Sequence, residues 1–419
     1  MLVVVALALA AGCSSGGQQQ SAQQAAEQPV KQQAGMDRKA CQAETKTACY
    51  TFNQVRAAYG VDALQRQGIT GKGRTIAILA PLGAPHLRTD LEAASTQLGL
   101  PKPHLKIVEQ KPSHGKASKI DWKDEELTGM AREATMDVQA AHAMAPEADL
   151  LLYQVDVTAK RDDFDDVLRG LKQIIGKHMA DVVSISFGLP EGGAKGENAA
   201  RIKQGHRLLA DAARQGITVV AAAGDGGAFD GTGDKQVRSV DWPASDPLVT
   251  AVGGTRLDLD DAGKRRKPDT VWSDEGGASG GGLSAIFTRP AYQRTVAAVA
   301  TGRRAVPDIS LSAAGDGSTM AYLTDDKAAS WWPVYGTSLA TPMFAGVVAL
   351  AAQHAGKRLG SLNPALYDLA NARNAGIVDI TTGTNGKHGH PARPGYDLAS
   401  GLGTVDAAHL VPALAGYAG

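Results

Sequence analysis

The run Ile217–Ala223, Ile-Thr-Val-Val-Ala-Ala-Ala, constrains this chain more than any other feature. It has the length and β-branched content of a strand, but no polar residue marks every second position. A strand with one wet face alternates; one without alternation is covered on both faces. That condition is met in a parallel sheet with helices packed on either side. Its neighbours follow the same rule. Arg74–Pro81, Ala148–Val155, Ala180–Gly188 and Pro247–Thr255 read as strands. Asp90–Pro101, Glu126–Pro146, Phe164–Lys177 and Glu197–Gly216 read as helices, the first ending at Gly99 and Pro101 and the second at Pro146. The alternation implies an α/β fold: a central, mostly parallel sheet with helices on both faces. No internal repeat and no long linker interrupts residues 41–415, so they are expected to form one domain.

The 43 basic and 43 acidic residues balance to zero net charge, which argues against a nucleic-acid partner. The first thirteen residues, MLVVVALALAAGC, form an apolar run of signal-peptide length that is too short to span a bilayer. Leu-Ala-Ala-Gly-Cys resembles a bacterial lipoprotein box, so residues 1–12 are expected to be a signal peptide and Cys13 the lipidated residue. Residues 13–40 are rich in Gln, Ala and Ser and lack the apolar residues a core needs, which reads as a flexible tether. Placement in a bacterial envelope, at the outer membrane, or secretion follows. Cys41 and Cys49 then read as a local disulfide of an exported protein.

In open parallel sheets, ligands sit beyond the carboxyl ends of the strands. Tyr-Gly-Thr-Ser at 335–338 opens a long apolar run, which places Ser338 like a nucleophile at the start of a buried helix. The usual partner is histidine, but neither His142 nor any other of the ten stands in a His-Gly-Thr context. Glu133 and Asp137 lie four residues apart on a predicted helix of small and apolar residues, so they share one face. Two buried carboxylates at that spacing share a proton unless a cation intervenes, and such a pair can act as a general base. Asp225 follows the apolar strand in a Gly-rich turn, Ala-Gly-Asp-Gly-Gly. An aspartate can donate to an oxyanion there only when protonated.

Taken with Ser-Ile-Ser-Phe-Gly, Trp-Pro-Ala-Ser-Asp-Pro, Ser-Gly-Gly-Gly-Leu-Ser and Val-Pro-Asp-Ile-Ser, these segments occur in an order that resembles the sedolisin family, the serine-carboxyl peptidases, over about residues 49–408. The resemblance implies a subtilisin-like fold and endopeptidase activity on peptides or unfolded proteins, favouring acid. It implies Ser338 as nucleophile, Glu133 as general base, Asp137 as its partner and Asp225 as oxyanion donor. It also implies one Ca2+ site, held by the Asp379 and Asp397 carboxylates and the carbonyls of Ile380, Arg393 and Gly395; Arg393 stands where family members often have Gly. The protein is expected to be a monomer. Family members carry a long prodomain, whereas tether-like residues precede the domain here. Two other readings stand beside this one: a peptide-binding lipoprotein without activity, and a His-dependent subtilisin-like peptidase using a residue such as His142.

Overall fold

The computed structural model describes residues 38–157, 164–191, 197–229, 238–326, 328–372 and 374–417. Residues 1–37, with the expected signal peptide, Cys13 and most of the tether, lie outside the described residues. The first helix, Arg38–Thr45, begins three residues inside the expected tether, and Cys41 on it is bonded to Cys49. The last helix of the described residues is Ala407–Ala415.

Among the described residues the main sheet has eight strands. Seven lie in the order Thr270–Val271, Thr250–Arg256, Thr218–Ala222, Val182–Ile185, Thr75–Ala80, Asp149–Gln154 and His104–Glu109, and Ile309–Ser312 pairs with Thr250–Arg256. All pairings are parallel except that of Thr270–Val271. The central strands are buried along their whole length, as their lack of alternation demands. His104–Glu109 is the exception. Its exposure alternates and Lys106 faces water, as suits an edge strand. A smaller sheet joins Cys49–Tyr50, Ser318–Thr324 and Ala329–Val334.

Two long helices place the functional residues. Glu125–Met144 is capped by Asp124, whose carboxylate accepts from the backbone N–H groups of Glu126 and Leu127. Thr337–Ala355 is buried from Thr337 to Ala352. The two pack closely at Gly346, where a β-carbon would lie 2.5 Å from the Met144 β-carbon. Only a glycine permits that approach. Pro342 lies inside the second helix and has no N–H to give the carbonyl four residues earlier. That carbonyl belongs to Ser338.

Candidate active site

The site is assembled where two neighbouring strands end. Ser186 follows Val182–Ile185, and Asp225 follows Thr218–Ala222 after a short turn. These strands are paired in register, so both residues reach the same carboxyl edge of the sheet. The helix Thr337–Ala355 starts there and the helix Glu125–Met144 passes beside it. All four residues singled out by sequence meet at this point. Ser338, Glu133 and Asp137 are 1%, 2% and 1% exposed. Asp225 is also enclosed, though partly less so in its loop.

Ser338 is the second residue of its helix, so its N–H has no acceptor within the helix. Its hydroxyl donates to the Ser186 carbonyl at 3.1 Å. Neither carboxylate oxygen of Glu133 makes a hydrogen bond among the described residues, and Asp137 Oδ2 makes none either. Asp137 Oδ1 accepts from the Ser186 hydroxyl at 3.1 Å. Burial pushes the Glu133 carboxyl well above its ordinary range, and the charges of Asp137 and then Asp225 push it further; the nearby Ser338 hydroxyl opposes them. Asp137 is raised in the same way by burial, with the Ser186 hydrogen bond opposing. Three buried carboxyl oxygens with no donor among the described residues favour the protonated form of one member of the pair.

Asp225 is held from one side. Its Oδ1 accepts from the Thr337 N–H at 2.8 Å and from the Thr337 hydroxyl at 2.7 Å. The Gly224 N–H in turn donates to that hydroxyl oxygen at 3.1 Å, so the Thr337 proton is directed to Asp225. Oδ2 lies beside Gly336, where a β-carbon would come within 2.7 Å of it. Gly336 has φ +106°, a conformation that suits glycine. Burial raises the Asp225 pKa to about 6, although both Thr337 bonds favour the ionised form. Oδ2 is thus the oxygen left to carry a proton.

His142 lies nine residues beyond Glu133 on the same helix, two and a half turns away and so on the opposite face. Its Nε2 is 3.2 Å from the Pro101 carbonyl, and burial lowers its pKa to about 4. Ser186 and Thr337 belong to the site but were not singled out by sequence. Their signal was adjacency: one stands in Ser-Ile-Ser-Phe-Gly and the other directly precedes Ser338.

The candidate metal ligands lie on turns of the C-terminal region, where two backbone contacts link four of them. The Gly395 N–H donates to Asp379 Oδ2 at 2.8 Å, and the Arg393 N–H to Asp397 Oδ2 at 2.9 Å. No described residue donates a hydrogen bond to the carbonyls of Ile380, Arg393 or Gly395. Two carboxylates and three unengaged carbonyls are an all-oxygen set, which fits Ca2+. Among the described residues no three His, Cys, Asp or Glu side chains cluster as metal ligands, so any ion there depends on the backbone oxygens.

Comparison with known proteins identifies the family and the fold. Residues 109–376 match the model of the Subtilase family. The chain is 33% identical over 366 residues to kumamolisin from Bacillus sp. (strain MN-32), covering 83% of this chain and 61% of that protein. It is 30% identical over 355 residues to sedolisin from Pseudomonas sp. (strain 101), covering 81% and 58%. The chain thus spans about three fifths of the length of these curated relatives. The solved structure of Pseudomonas sedolisin, a serine-carboxyl proteinase complexed with two molecules of pseudo-iodotyrostatin, superposes with a TM-score of 0.76 at 28% identity. That match covers 87% of this chain and 98% of the other.

Proposed function

Because the chain belongs to the subtilase family, and within it to the sedolisins with their subtilisin-like fold, we propose that it is a serine-carboxyl endopeptidase that cleaves peptides and unfolded proteins through an acyl-enzyme on Ser338. One observation carries the reading. A buried carboxyl pair, three of whose four oxygens accept no hydrogen bond among the described residues, stands beside a helix-terminal serine.

In this scheme Ser338 Oγ attacks the scissile carbonyl carbon and gives its proton to Glu133. Before attack the Glu133–Asp137 pair carries one proton and one negative charge. Taking up the serine proton makes the pair neutral, which a desolvated site favours. The negative charge moves to the substrate oxygen, which accepts from protonated Asp225 Oδ2 and from the Ser338 N–H. As the tetrahedral intermediate collapses, the C–N bond breaks and Glu133 returns the proton to the leaving amine. Water then repeats the sequence on the ester, releasing the acid and restoring Ser338. Asp225 must be protonated and the pair must retain a charge, so activity is favoured in acid.

Asp379 and Asp397, with the carbonyls of Ile380, Arg393 and Gly395, would hold one Ca2+. The ion would tie the turns at 379–380 and 393–397 together and neutralise their carboxylates. We further read the protein as a monomer held to a bacterial membrane by a lipid on Cys13, or otherwise secreted. Among the described residues no helix is long and apolar enough to cross a membrane.

A peptide aldehyde or fluorophosphonate probe tests the assignment directly. Mass spectrometry is expected to place the adduct on Ser338, and Glu133→Gln is expected to slow its formation at least tenfold. An adduct on another residue, or labelling indifferent to Glu133→Gln, would remove the proposal.

A further inference from the structure

Ser186 touches both halves of the site, and nothing in the scheme above uses its side chain. Its hydroxyl lies 3.1 Å from Asp137 Oδ1 and 3.4 Å from the Ser338 carbonyl. The second acceptor is available because Pro342 withholds the helical N–H that the Ser338 carbonyl would otherwise receive. Its own carbonyl accepts the Ser338 hydroxyl at 3.1 Å. Ser186 is 2% exposed, so water does not replace these contacts.

We propose that Ser186 is a positioning residue for the carboxyl pair: its hydroxyl, given to Asp137 Oδ1, leaves Asp137 Oδ2 as the oxygen that shares a proton with Glu133, while its carbonyl holds the Ser338 hydroxyl between turnovers. One hydroxyl proton serves two acceptors. It goes to Asp137 when that oxygen carries charge and can turn to the Ser338 carbonyl when it does not. The groups facing the pair are few. Ser186 approaches from the end of its strand, Ser338 from the buried helix, and Asp225 from its Gly-rich loop. On the pair's own helix, Arg132 points away and stacks over Trp332 at 4.7 Å, and His142 lies on the opposite face. Among the described residues no cationic side chain contributes to the shift of either carboxyl, so none offsets the loss of the Ser186 donor.

This inference rests on the serine-carboxyl reading, and its test separates the two. The full chain is assayed against pH as wild type, Ser186→Ala, Ser186→Thr and Glu133→Gln. Loss of a donor to a charged acceptor is expected to move the acidic limb of kcat/KM upward by about 1 pH unit in Ser186→Ala. Ser186→Thr restores the limb because it restores the hydroxyl. The same shift is read without turnover from the carboxyl C=O stretch, titrated by difference infrared in a Ser338→Ala background. That measurement decides the matter even if Ser186→Ala is too slow to assay. A limb and an infrared titration that stay in place in folded Ser186→Ala overturn the positioning role alone. A wild type whose activity is indifferent to Glu133→Gln overturns both.

Discussion

Asp225→Asn separates a donor that depends on pH from one that does not. Burial sets the Asp225 pKa at about 6, so about nine tenths of the protein carries the Oδ2 proton at pH 5 and about a tenth at pH 7. Wild-type kcat/KM is therefore expected to fall about tenfold across that interval. In Asp225→Asn the amide oxygen keeps both Thr337 hydrogen bonds and the NH2 takes the Oδ2 position, donating at every pH. The limb near pH 6 disappears, and the rate at pH 5 drops by less than the roughly 10²–10³ that loss of an oxyanion donor costs. Asp225→Ala takes that full loss at all pH values. Stability changes with the same group. Its folded pKa is raised, so its contribution is complete below the unfolded value of about 3.8 and disappears as pH rises through about 6. The full span is on the order of 3 kcal/mol. Urea unfolding in a Ser338→Ala background, which prevents self-digestion, measures it, and Asp225→Asn removes that part of the pH dependence. The reasoning is refuted if Asp225→Asn keeps the limb near pH 6, or if Asp225→Ala retains wild-type activity.

Three further outcomes follow from the packing. Gly346→Val drives a side chain into Met144 and is expected to cost about 1–3 kcal/mol or more in urea unfolding. Arg304 and Asp308 form a wholly buried ion pair in which Asp308 also accepts from the Tyr367 hydroxyl and the Ala251 N–H. Arg304→Met leaves that carboxylate without its cation, and a loss of about 3–5 kcal/mol is expected from the same measurement. Calcium is expected to raise the wild-type Tm, with no effect on Asp379→Asn, whose carboxylate is exposed and accepts one backbone hydrogen bond; calcorimetric scans with calcium and with chelator check it.

The parts of this structure that could be read from the chain are those where one local pattern has one physical meaning. Ile217–Ala223 reads as a doubly covered strand because the run is short, opens on β-branched residues and is bounded by glycines. Glu133 and Asp137 read as one face because helical spacing requires it. His104–Glu109 is a strand that its sequence pattern does not announce. Its apolar residues are few and it sits among prolines and lysines, because its outer edge faces water and only one neighbour pairs with it. The hairpin of Ser318–Thr324 and Ala329–Val334 is equally unmarked, because Pro333 on its second strand weakens the pattern. Ser186 could not be found from spacing. Its partners Asp137 and Ser338 are 49 and 152 residues away, and only folding brings them together.

Peptidase activity of the full chain on an unfolded protein, measured from pH 3 to 8 beside Ser338→Ala and Glu133→Gln, tests the central claim most directly. The account predicts activity below about pH 6 that both substitutions abolish. Activity at neutral pH that survives Glu133→Gln would contradict it.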